Sequence, residues 1–389
     1  MQKLSVKRDT FRAITSFEEA GQLQVGDQVY RPYKGVLTSN AVGTSGAYTR
    51  QDVTMTGELM SINVKREVTF YVEDYNEIQS KYPIGKSFAD DASIALYNWV
   101  DGDVLGEYDC ADSVIGNYQM TGSGSSGDGI GFTLTTSNIL SVFSKANRAL
   151  DKLNVDMADR WAVISPEFRD ILFQFIAGKE SALGDATGLN GHIGKYAGFK
   201  LYLSNATGWS ARFELPTTVP TANDTLTING VQFTFVNTGD VDAAGEIYYG
   251  ANVGATCDNI VASVNAPGTA AAGVYYPVSA ADQALLKGIT AADGATYVTF
   301  KAEGHGTVAV SCSMSTGTNL WTATKQLQHN LFGQGKPIDL VIQKYPNLGI
   351  FHRDGYIGKD FVTWTFYGLK TFDEGDRHLV DCQIRSDAF

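Results

Sequence analysis

The pattern of hydrophobic and polar positions predicts strands first, in the stretch from residue 29 to residue 73. One face of the segment 62–72 is mostly apolar and consists of Ile62, Val64, Arg66, Val68, Phe70 and Val72. The residues between them alternate with this face, which is the period-two pattern of a half-buried strand. The preceding segment, Tyr48–Thr56, can pair with it through a turn near Gly57–Glu58. The sequence therefore predicts a long two-stranded hairpin.

A two-stranded hairpin is marginally stable alone in water, so this one needs a surface on which to lie. The simplest source of that surface is a neighbouring copy of the chain. The charged side chains of the hairpin are then candidate contacts between subunits: Arg50, Asp52, Lys65, Arg66 and Glu67. The alternative is that each of them is a solvated side chain on an exposed strand face.

A helix with clear start signals follows Pro83. Ser87 has the position of an N-cap, and Asp90 and Asp91 fall in the first turn, where the helix dipole favours acidic side chains. An apolar stripe at helical spacing continues from there through Phe88, Ala92, Ala95, Leu96, Trp99 and Val100. The pattern predicts a long amphipathic helix that begins near Ser87 and continues through Leu105. A shorter helix is expected in the N-terminal segment, around Phe11–Glu19.

Buried elements alternate in the next stretch of the chain. The periodicity predicts a helix over Thr136–Leu153, and the apolar run Arg160–Ile164 indicates a buried strand. Ser165 and Pro166 are an N-cap followed by proline at the first helical position, so another helix begins there. Gly198–Asn205 is predicted to be a further strand.

Residues 213–324 differ in composition from the chain on either side. The block holds nine acidic side chains and two basic ones, Lys287 and Lys301, a net charge of −7 against −12 for the whole chain. Asn229-Gly230 between two alternating runs is a strong hairpin signal. Two helices and then a strand pair are predicted after it, over Ala255–Asn265, Ala280–Lys287, Thr296–Ala302 and Thr307–Ser313. Such a change in composition is typical of a domain inserted into a loop of its host.

The composition of the chain argues against several classes of function. Of the 389 residues, 43% are hydrophobic and 19% are charged, which is the composition of a globular protein. The net charge of −12 argues against a nucleic-acid or anionic-membrane surface, since phosphate contacts need clustered basic side chains. The sequence contains no apolar run long enough for a transmembrane helix, and its mixed-charge start is unlike a signal peptide.

Motifs that would carry chemistry are incomplete. The glycines from Gly122 to Gly127 match GxGxxG, but no helix opens within them as a dinucleotide site requires. Asp101–Gly106 begins like a calcium loop, but Leu105 and Asp112 replace required ligands, so exposed acids at a helix end are the better interpretation. The five histidines have no metal-ligand spacing. The sequence therefore predicts no catalytic residue, no metal and no cofactor.

The order of these elements resembles that of the major capsid proteins of tailed bacteriophages, which have the Hong Kong 97 fold. Four local phrases are also similar to that family: Tyr71–Ser80 (YVEDYNEIQS), Arg160–Leu172 (RWAVISPEFRDIL), Tyr196–Asn205 (YAGFKLYLSN) and Phe366–Ile384 (FYGLKTFDEGDRHLVDCQI). The resemblance covers residues 1–212 and 325–389. The insert departs from the all-β inserts of podovirus coat proteins, because helices are predicted beside its hairpin.

The resemblance implies an α+β fold in five parts. They are an N-terminal arm at 1–28, the extension-loop hairpin with the lead into the spine helix at 29–82, the spine helix with the peripheral and axial domains at 83–212, a small α/β or α+β inserted domain at 213–324, and the return strands of the axial and peripheral core at 325–389.

For function, the resemblance implies a non-enzymatic major capsid protein that assembles into the pentamers and hexamers of an icosahedral head shell. Its expected partners are copies of itself, a portal protein, and scaffold and decoration proteins. The shell would enclose double-stranded DNA without sequence-specific binding and without contact to a membrane, and would be assembled in the host cytoplasm and found in the virion. The insert is expected to fold independently and to project outward.

Two alternatives stay open at this point. One keeps the fold and changes the role, to an encapsulin-like nanocompartment shell that encloses an enzyme cargo. The other is a secreted adhesin or glycan-binding protein, which the Thr-, Gly- and aromatic-rich strands suggest.

Overall fold

The computed structural model describes residues 10–16, 28–34, 37–42, 44, 46, 50–52, 55–79, 84–122, 131–178, 194–214, 219–304, 306–313, 326–352, 355 and 357–385. They form two compact units. The first comprises the described residues of Thr15–Leu96 and Ile338–Asp373, and the second those of Arg8–Ile14, Tyr97–Pro337 and Glu374–Phe389. The class is α+β, as the sequence predicts.

The elements follow one another along the chain in a mixed order. In the first half they are α1 (Phe11–Ile14), β1 (Thr15–Ser16), β2 (Gln28–Lys34), β3 (Met55–Ser61), β4 (Val64–Glu73), α2 (Asp74–Gln79), α3 (Ile84–Leu105), a 3₁₀ helix (Gly106–Cys110), β5 (Ser113–Ile115), α4 (Asn117–Thr121), α5 (Ile139–Lys152), β6 (Arg160–Ile164), α6 (Pro166–Ala177), β7 (Lys195–Tyr196) and β8 (Phe199–Leu203). In the second half they are β9 (Trp209–Glu214), β10 (Thr225–Ile228), β11 (Val231–Val236), β12 (Glu246–Tyr248), α7 (Val253–Asn265), α8 (Ala280–Leu286), β13 (Ile289–Asp293), β14 (Tyr297–Ala302), β15 (Val310–Ser313), β16 (Leu327–Gln334), β17 (Ile338–His352), β18 (Gly358–Thr371), α9 (Asp373–Asp376) and β19 (Leu379–Arg385).

The first unit contains a four-stranded sheet in the order β1-β17-β18-β4 and a two-stranded ribbon, β2–β3. β17 and β18 form a long antiparallel hairpin, and β4 pairs with β18. Phe361 of β18 stacks on Phe70 of β4 with ring centroids 5.1 Å apart. A small core that includes residues of the ribbon and of the sheet consists of Val29, Met60, Ile62, Val341 and Phe372.

The alternation predicted along residues 62–72 is confirmed. Ile62 and Val72 are buried, whereas Lys65, Glu67 and Thr69, on the other face, are exposed. The polar face of β4 therefore meets solvent in the isolated chain, as the period-two pattern indicates.

The pairing predicted for this strand is wrong. β4 pairs with β18, and the segment before it forms β3, which pairs with β2 and not with β4. Gly57 and Glu58, expected at a turn, lie within β3 opposite Pro32 and Arg31. Periodicity shows which face of a strand is buried, but it does not identify the neighbouring strand, and here that strand is distant in sequence.

Two helix boundaries also differ from the prediction. The helix of the N-terminal segment ends at Ile14, because Thr15–Ser16 pair with β17 as a short parallel strand. The long helix α3 begins at Ile84, so Ser87 lies within its first turn and is not the N-cap. No proline separates Ile84 from Ser87, so the backbone can continue the helix upstream of the apparent cap. Its end at Leu105 is as predicted.

The second unit is built on a nine-stranded sheet. Its main path is β13-β14-β9-β16-β6-β8-β7, while β19 pairs with β16 and β5 pairs with β19. On one face of this sheet Phe332 of β16 contacts Phe143 of α5, Phe168 of α6 and Phe199 of β8, with ring centroids 5.3 to 6.2 Å apart. Residues of this aromatic group are completely buried, so it forms the centre of the larger core.

The sequence signals around β6 and α6 are confirmed. All five residues of β6 are buried, as the apolar run predicts. Ser165 is the N-cap of α6, because its side chain accepts a hydrogen bond from the backbone N–H of Phe168 at 3.2 Å, and Pro166 is the first helical residue. Among the helices of the described segments, none is long and apolar enough to cross a membrane.

The region 213–324 holds the predicted Asn229-Gly230 hairpin, whose two turn residues have φ of 47° and 86° and join β10 to β11. The predicted pairing of Thr296–Ala302 with Thr307–Ser313 is wrong. β14 pairs with β13 and β9, whereas β15 pairs with β10. β13 and β14 thus extend the nine-stranded sheet, and Phe213 of β9 belongs to the apolar core of this region. The domain boundaries at 213 and 324 stay a prediction.

Candidate functional site: an exposed ribbon and a buried array

The β2–β3 ribbon has one face buried in the first unit and one face in solvent. Tyr30 and Leu59 lie directly opposite each other on the outer face and are 60% and 51% exposed, and Met55 on the same face is 67% exposed. The ring of Tyr30 lies against Gly57, where a Cβ atom would clash with it. A row of exposed apolar side chains on a thin ribbon is typical of an interaction surface.

The five predicted contact residues do not form one cluster. Arg50 and Asp52 form an ion pair with each other, with Nε and Oδ1 3.5 Å apart, and both side chains are more than 80% exposed. Lys65 and Glu67 share the exposed face of β4, whereas Arg66 lies on the opposite, half-buried face. The ammonium of Lys65 lies 5.5 Å from the centroid of the Phe366 ring. Their role as contacts between subunits stays a prediction.

A charged cluster joins the inner face of the ribbon to the end of β18. Lys370 contacts the carboxylate of Glu58 at 3.0 Å, and the backbone N–H of Asp373 donates to the hydroxyl of Tyr33 at 3.2 Å. Burial raises the pKa of Glu58, but hydrogen bonds with Asp373, Lys370 and Tyr33 outweigh it and hold the pKa below its usual value of 4.5. Burial and the hydrogen bond to Glu58 raise the pKa of Tyr33.

A hydrogen-bonded array lies within the second unit, on the other face of the nine-stranded sheet. Nδ1 of His329 donates to the Asp381 carboxylate at 2.8 Å, because a carboxylate can only accept, and Nε2 lies 2.7 Å from Oγ of Ser210. The ring of Tyr108 stacks on the imidazole with centroids 3.6 Å apart. Burial raises the pKa of Tyr108, and the carboxylates of Asp109 and Asp381 raise it further.

Ser210, His329 and Asp381 are connected in the order found in serine hydrolases. Catalysis by such a triad requires access for a substrate and donors placed for an oxyanion. Here the three residues are 4%, 3% and 1% exposed, and Tyr108 covers the imidazole. The array therefore serves best as a cross-link among β9, β16, β19 and the 3₁₀ helix. Its members are far apart in sequence, so no spacing motif signals it.

Other sequence-based candidates give no site. The interpretation of Asp101 as an exposed acid is wrong, since it is fully buried and accepts hydrogen bonds from the Phe11 N–H at 2.8 Å and the Ser204 hydroxyl at 3.2 Å. The helix continues to Leu105, as predicted, and Asp101 therefore lies inside α3 and not at its end. His192, His305 and most of the glycine-rich segment after Gly122 lie outside the described residues. Within the described ranges, no group of three or more His, Cys, Asp or Glu side chains is placed to hold a metal ion.

Comparisons with known proteins give a result at the level of the fold. No protein-family model matches the sequence, and no curated protein matches it. A structure from Mycobacterium phage Che8 matches with a TM-score of 0.54 and 12% identity over 98% of this chain and 93% of that chain. The capsid structure of the cyanophage P-SCSP1u matches with a TM-score of 0.52 and 13% identity over 98% of this chain and 89% of that one.

A third solved structure, the asymmetric unit of the mature capsid of bacteriophage PhiM1, matches with a TM-score of 0.50 and 9% identity over 99% of this chain and 90% of that chain. At these identities the likeness concerns the fold alone. The fold is that of phage capsid structures, which confirms the fold expected from the order of the elements, whereas its division into five parts stays a prediction.

Proposed function

We propose that this chain is the major capsid protein of a tailed bacteriophage, a structural subunit without enzymatic activity. Copies of it assemble into the icosahedral head shell that encloses double-stranded DNA. The observation that carries the proposal is the likeness to the capsid structure of the cyanophage P-SCSP1u over 98% of this chain. Because the three solved structures described above come from phages, they do not favour a nanocompartment shell or a secreted adhesin.

The ribbon and the neighbouring face of β4 contact an adjacent subunit in this proposal. Tyr30, Met55 and Leu59 supply apolar area that a single chain leaves in solvent. Lys65 and Glu67 supply charges on an exposed strand face, and Arg50 and Asp52 supply an exposed ion pair. A patch that meets a different patch on the next copy forms a heterologous contact, and such contacts close into rings. Pentamers and hexamers are rings of this kind.

The net charge of −12 fits a shell that does not adhere to its genome. DNA then lies inside without sequence-specific binding, and the particle needs a portal protein, together with scaffold and decoration proteins where the assembly route uses them. Assembly takes place in the host cytoplasm, and the protein ends in the virion. The acidic region 213–324 projects from the outer surface in this proposal, because a lumenal position would repel the packaged genome.

Negative-stain electron microscopy of the expressed chain tests the proposed function. We expect closed particles of uniform diameter, either from the chain alone or after co-expression with other proteins of the same virus. Monomers and dimers under both conditions would contradict it. Limited proteolysis of intact particles tests the outward position of 213–324, since an outward segment is cut while the enclosed DNA stays protected from nuclease.

A further inference from the structure

Three basic side chains line a groove in the second unit, although the chain as a whole is acidic. Lys145, Arg148 and Lys152 recur at three- and four-residue intervals along α5 and therefore share one side of that helix. Arg148 and Lys152 are exposed, and Lys145 is half-buried. All three line a groove of about 640 Å³, whose other walls come from β5, α4 and their flanking residues.

The charge of this groove has the opposite sign to that of the chain. Among the described residues, its lining contains three basic residues and one acidic residue, Asp112, a local charge of +2 in a chain of −12. Asp151 of the same helix is bound to the buried guanidinium of Arg160 at 2.6 Å. Within the described ranges, no ion pair joins Lys145, Arg148 or Lys152 to an acid. The groove therefore presents cations to a partner.

One wall of the groove is an edge strand. β5 pairs with β19 in parallel, and no other strand among the described residues pairs with β5. An unpaired strand edge presents a row of backbone N–H and C=O groups that can accept an added strand. β5 is about 10 Å long at about 3.3 Å per residue. The basic stripe of α5 is also about 10 Å long at about 1.5 Å per residue. The two walls match in length.

We propose that this groove binds an extended acidic peptide of a partner protein, which adds to β5 as a strand and pairs its carboxylates with Lys145, Arg148 and Lys152. A peptide fits better than DNA for two reasons. The chain as a whole repels a long polyanion, and the edge of β5 offers backbone pairing that a nucleic acid does not use. The inference deepens the proposed function by naming a kind of partner for the shell subunit.

Fluorescence anisotropy on the full, unassembled chain tests the proposal. The probe is a fluorescein-labelled octapeptide in which glutamate and valine alternate, so that its carboxylates lie on one side of an extended strand. The groove variant is K145E/R148E/K152E. The control variant is K287E/K336E/R377E, which makes the same change in charge at exposed cations outside the groove.

We expect the groove variant to bind the octapeptide at least about tenfold more weakly than the unaltered chain, and the control to bind within about twofold of it. Equal loss in both variants would overturn the proposal, because the attraction would then depend on net charge alone. Should the triple variant fail to fold by circular dichroism, the single variant K152E, at an exposed position, is compared with K336E.

Two further probes test the mode of binding and the class of ligand. An octapeptide with an N-methyl group on every peptide nitrogen keeps its charge but has no backbone N–H donors for pairing with a strand edge, and we expect about tenfold weaker binding. Unchanged binding would overturn strand addition. A labelled duplex DNA that binds more tightly than the octapeptide, and loses that binding in the groove variant, would overturn the choice of a peptide. Microscopy of the same variants reports particle formation separately, so failure here is distinguishable from failure of the proposed function.

Discussion

Strand β16 and the β2–β3 ribbon differ in how far their side chains are buried. In β16 seven of eight residues are buried, whereas the outer face of the ribbon leaves Tyr30, Met55 and Leu59 more than half exposed. Among the described residues, the apolar core that includes β16 has nineteen buried members and the core that includes the ribbon has five. The side chains of β16 are covered within one chain, and those on the outer face of the ribbon are not.

In the proposed function, this difference corresponds to two roles of the subunit, folding and assembly. Each Å² of buried apolar surface stabilises the fold by about 25 cal/mol. Around β16 this surface is buried within the single chain. In the proposed function, the apolar area that the ribbon leaves exposed is available for a later association step. Changes near β16 should therefore act on folding, and changes on the outer face of the ribbon should act on assembly.

The largest effect is expected from Phe332→Ala. Phe332 is completely buried among three other aromatic rings, so truncation leaves a cavity, and we expect a loss of about 3–5 kcal/mol in the free energy of unfolding. Urea unfolding followed by circular dichroism measures it. Tyr30→Ala is the comparison on the ribbon, and we expect it to change the unfolding free energy of the monomer by no more than about 0.5 kcal/mol. Similar losses in both variants would erase the contrast between the two regions.

Sequence reasoning predicted individual elements better than their partners. The burial of β6, the cap of α6 by Ser165 and the Asn229-Gly230 turn depend on neighbouring residues, and local patterns predict them. The partner of β4 depends on β18, nearly at the other end of the chain, and no local pattern contains that information. For the same reason the sequence predicted β4 and its exposed face correctly but gave it the wrong partner.

The candidate sites follow the same division. The exposed face with Lys65 and Glu67 was predictable from alternation alone. The array of Ser210, His329 and Asp381 was not, since three strands from different parts of the chain bring it together. Only one wall of the basic groove can be predicted from the sequence. The spacing of the basic residues on α5 can be read from it, but the position of the β5 edge beside them cannot.

Reversal of charge on β4, beside the ribbon in the proposed contact, tests the role of this strand in assembly. We expect K65E/R66E to abolish particle formation, because the many copies in a shell multiply contributions of about 0–1 kcal/mol for each exposed pair. Electron microscopy and sedimentation velocity measure the outcome. Arg66 lies on the half-buried face, so the single variant K65E separates a loss of assembly from a loss of folding. Normal particles from a folded double variant would remove these residues from the assembly contact.

A matched pair of leucines gives a finer test. Leu59 on the ribbon and Leu203 of β8 are each 51% exposed on a strand. We expect Leu59→Ser to raise the protein concentration needed for assembly several-fold, because loss of buried apolar area at an interface costs about 1–2 kcal/mol, while Leu203→Ser leaves it unchanged. Light scattering against protein concentration measures the threshold. If Leu203→Ser has the larger effect, the ribbon is not the apolar contact.

The smallest effect concerns the inner face of the ribbon and its dependence on pH. Burial raises the pKa of Glu58, but the hydrogen bonds with Asp373, Lys370 and Tyr33 outweigh it and hold the pKa below 4.5. The contribution of Glu58 to stability is therefore present above pH 4.5 and is lost as the pH falls through the lower folded value. We expect Glu58→Gln to lower the unfolding free energy by about 1 kcal/mol at neutral pH. This difference should disappear in acid, once Glu58 of the unaltered chain is protonated as well.

Urea unfolding over a range of pH measures this difference, with Glu67→Gln as the control at an exposed glutamate. A difference between Glu58→Gln and the unaltered chain that stays constant with pH would show that the ribbon is held by packing alone.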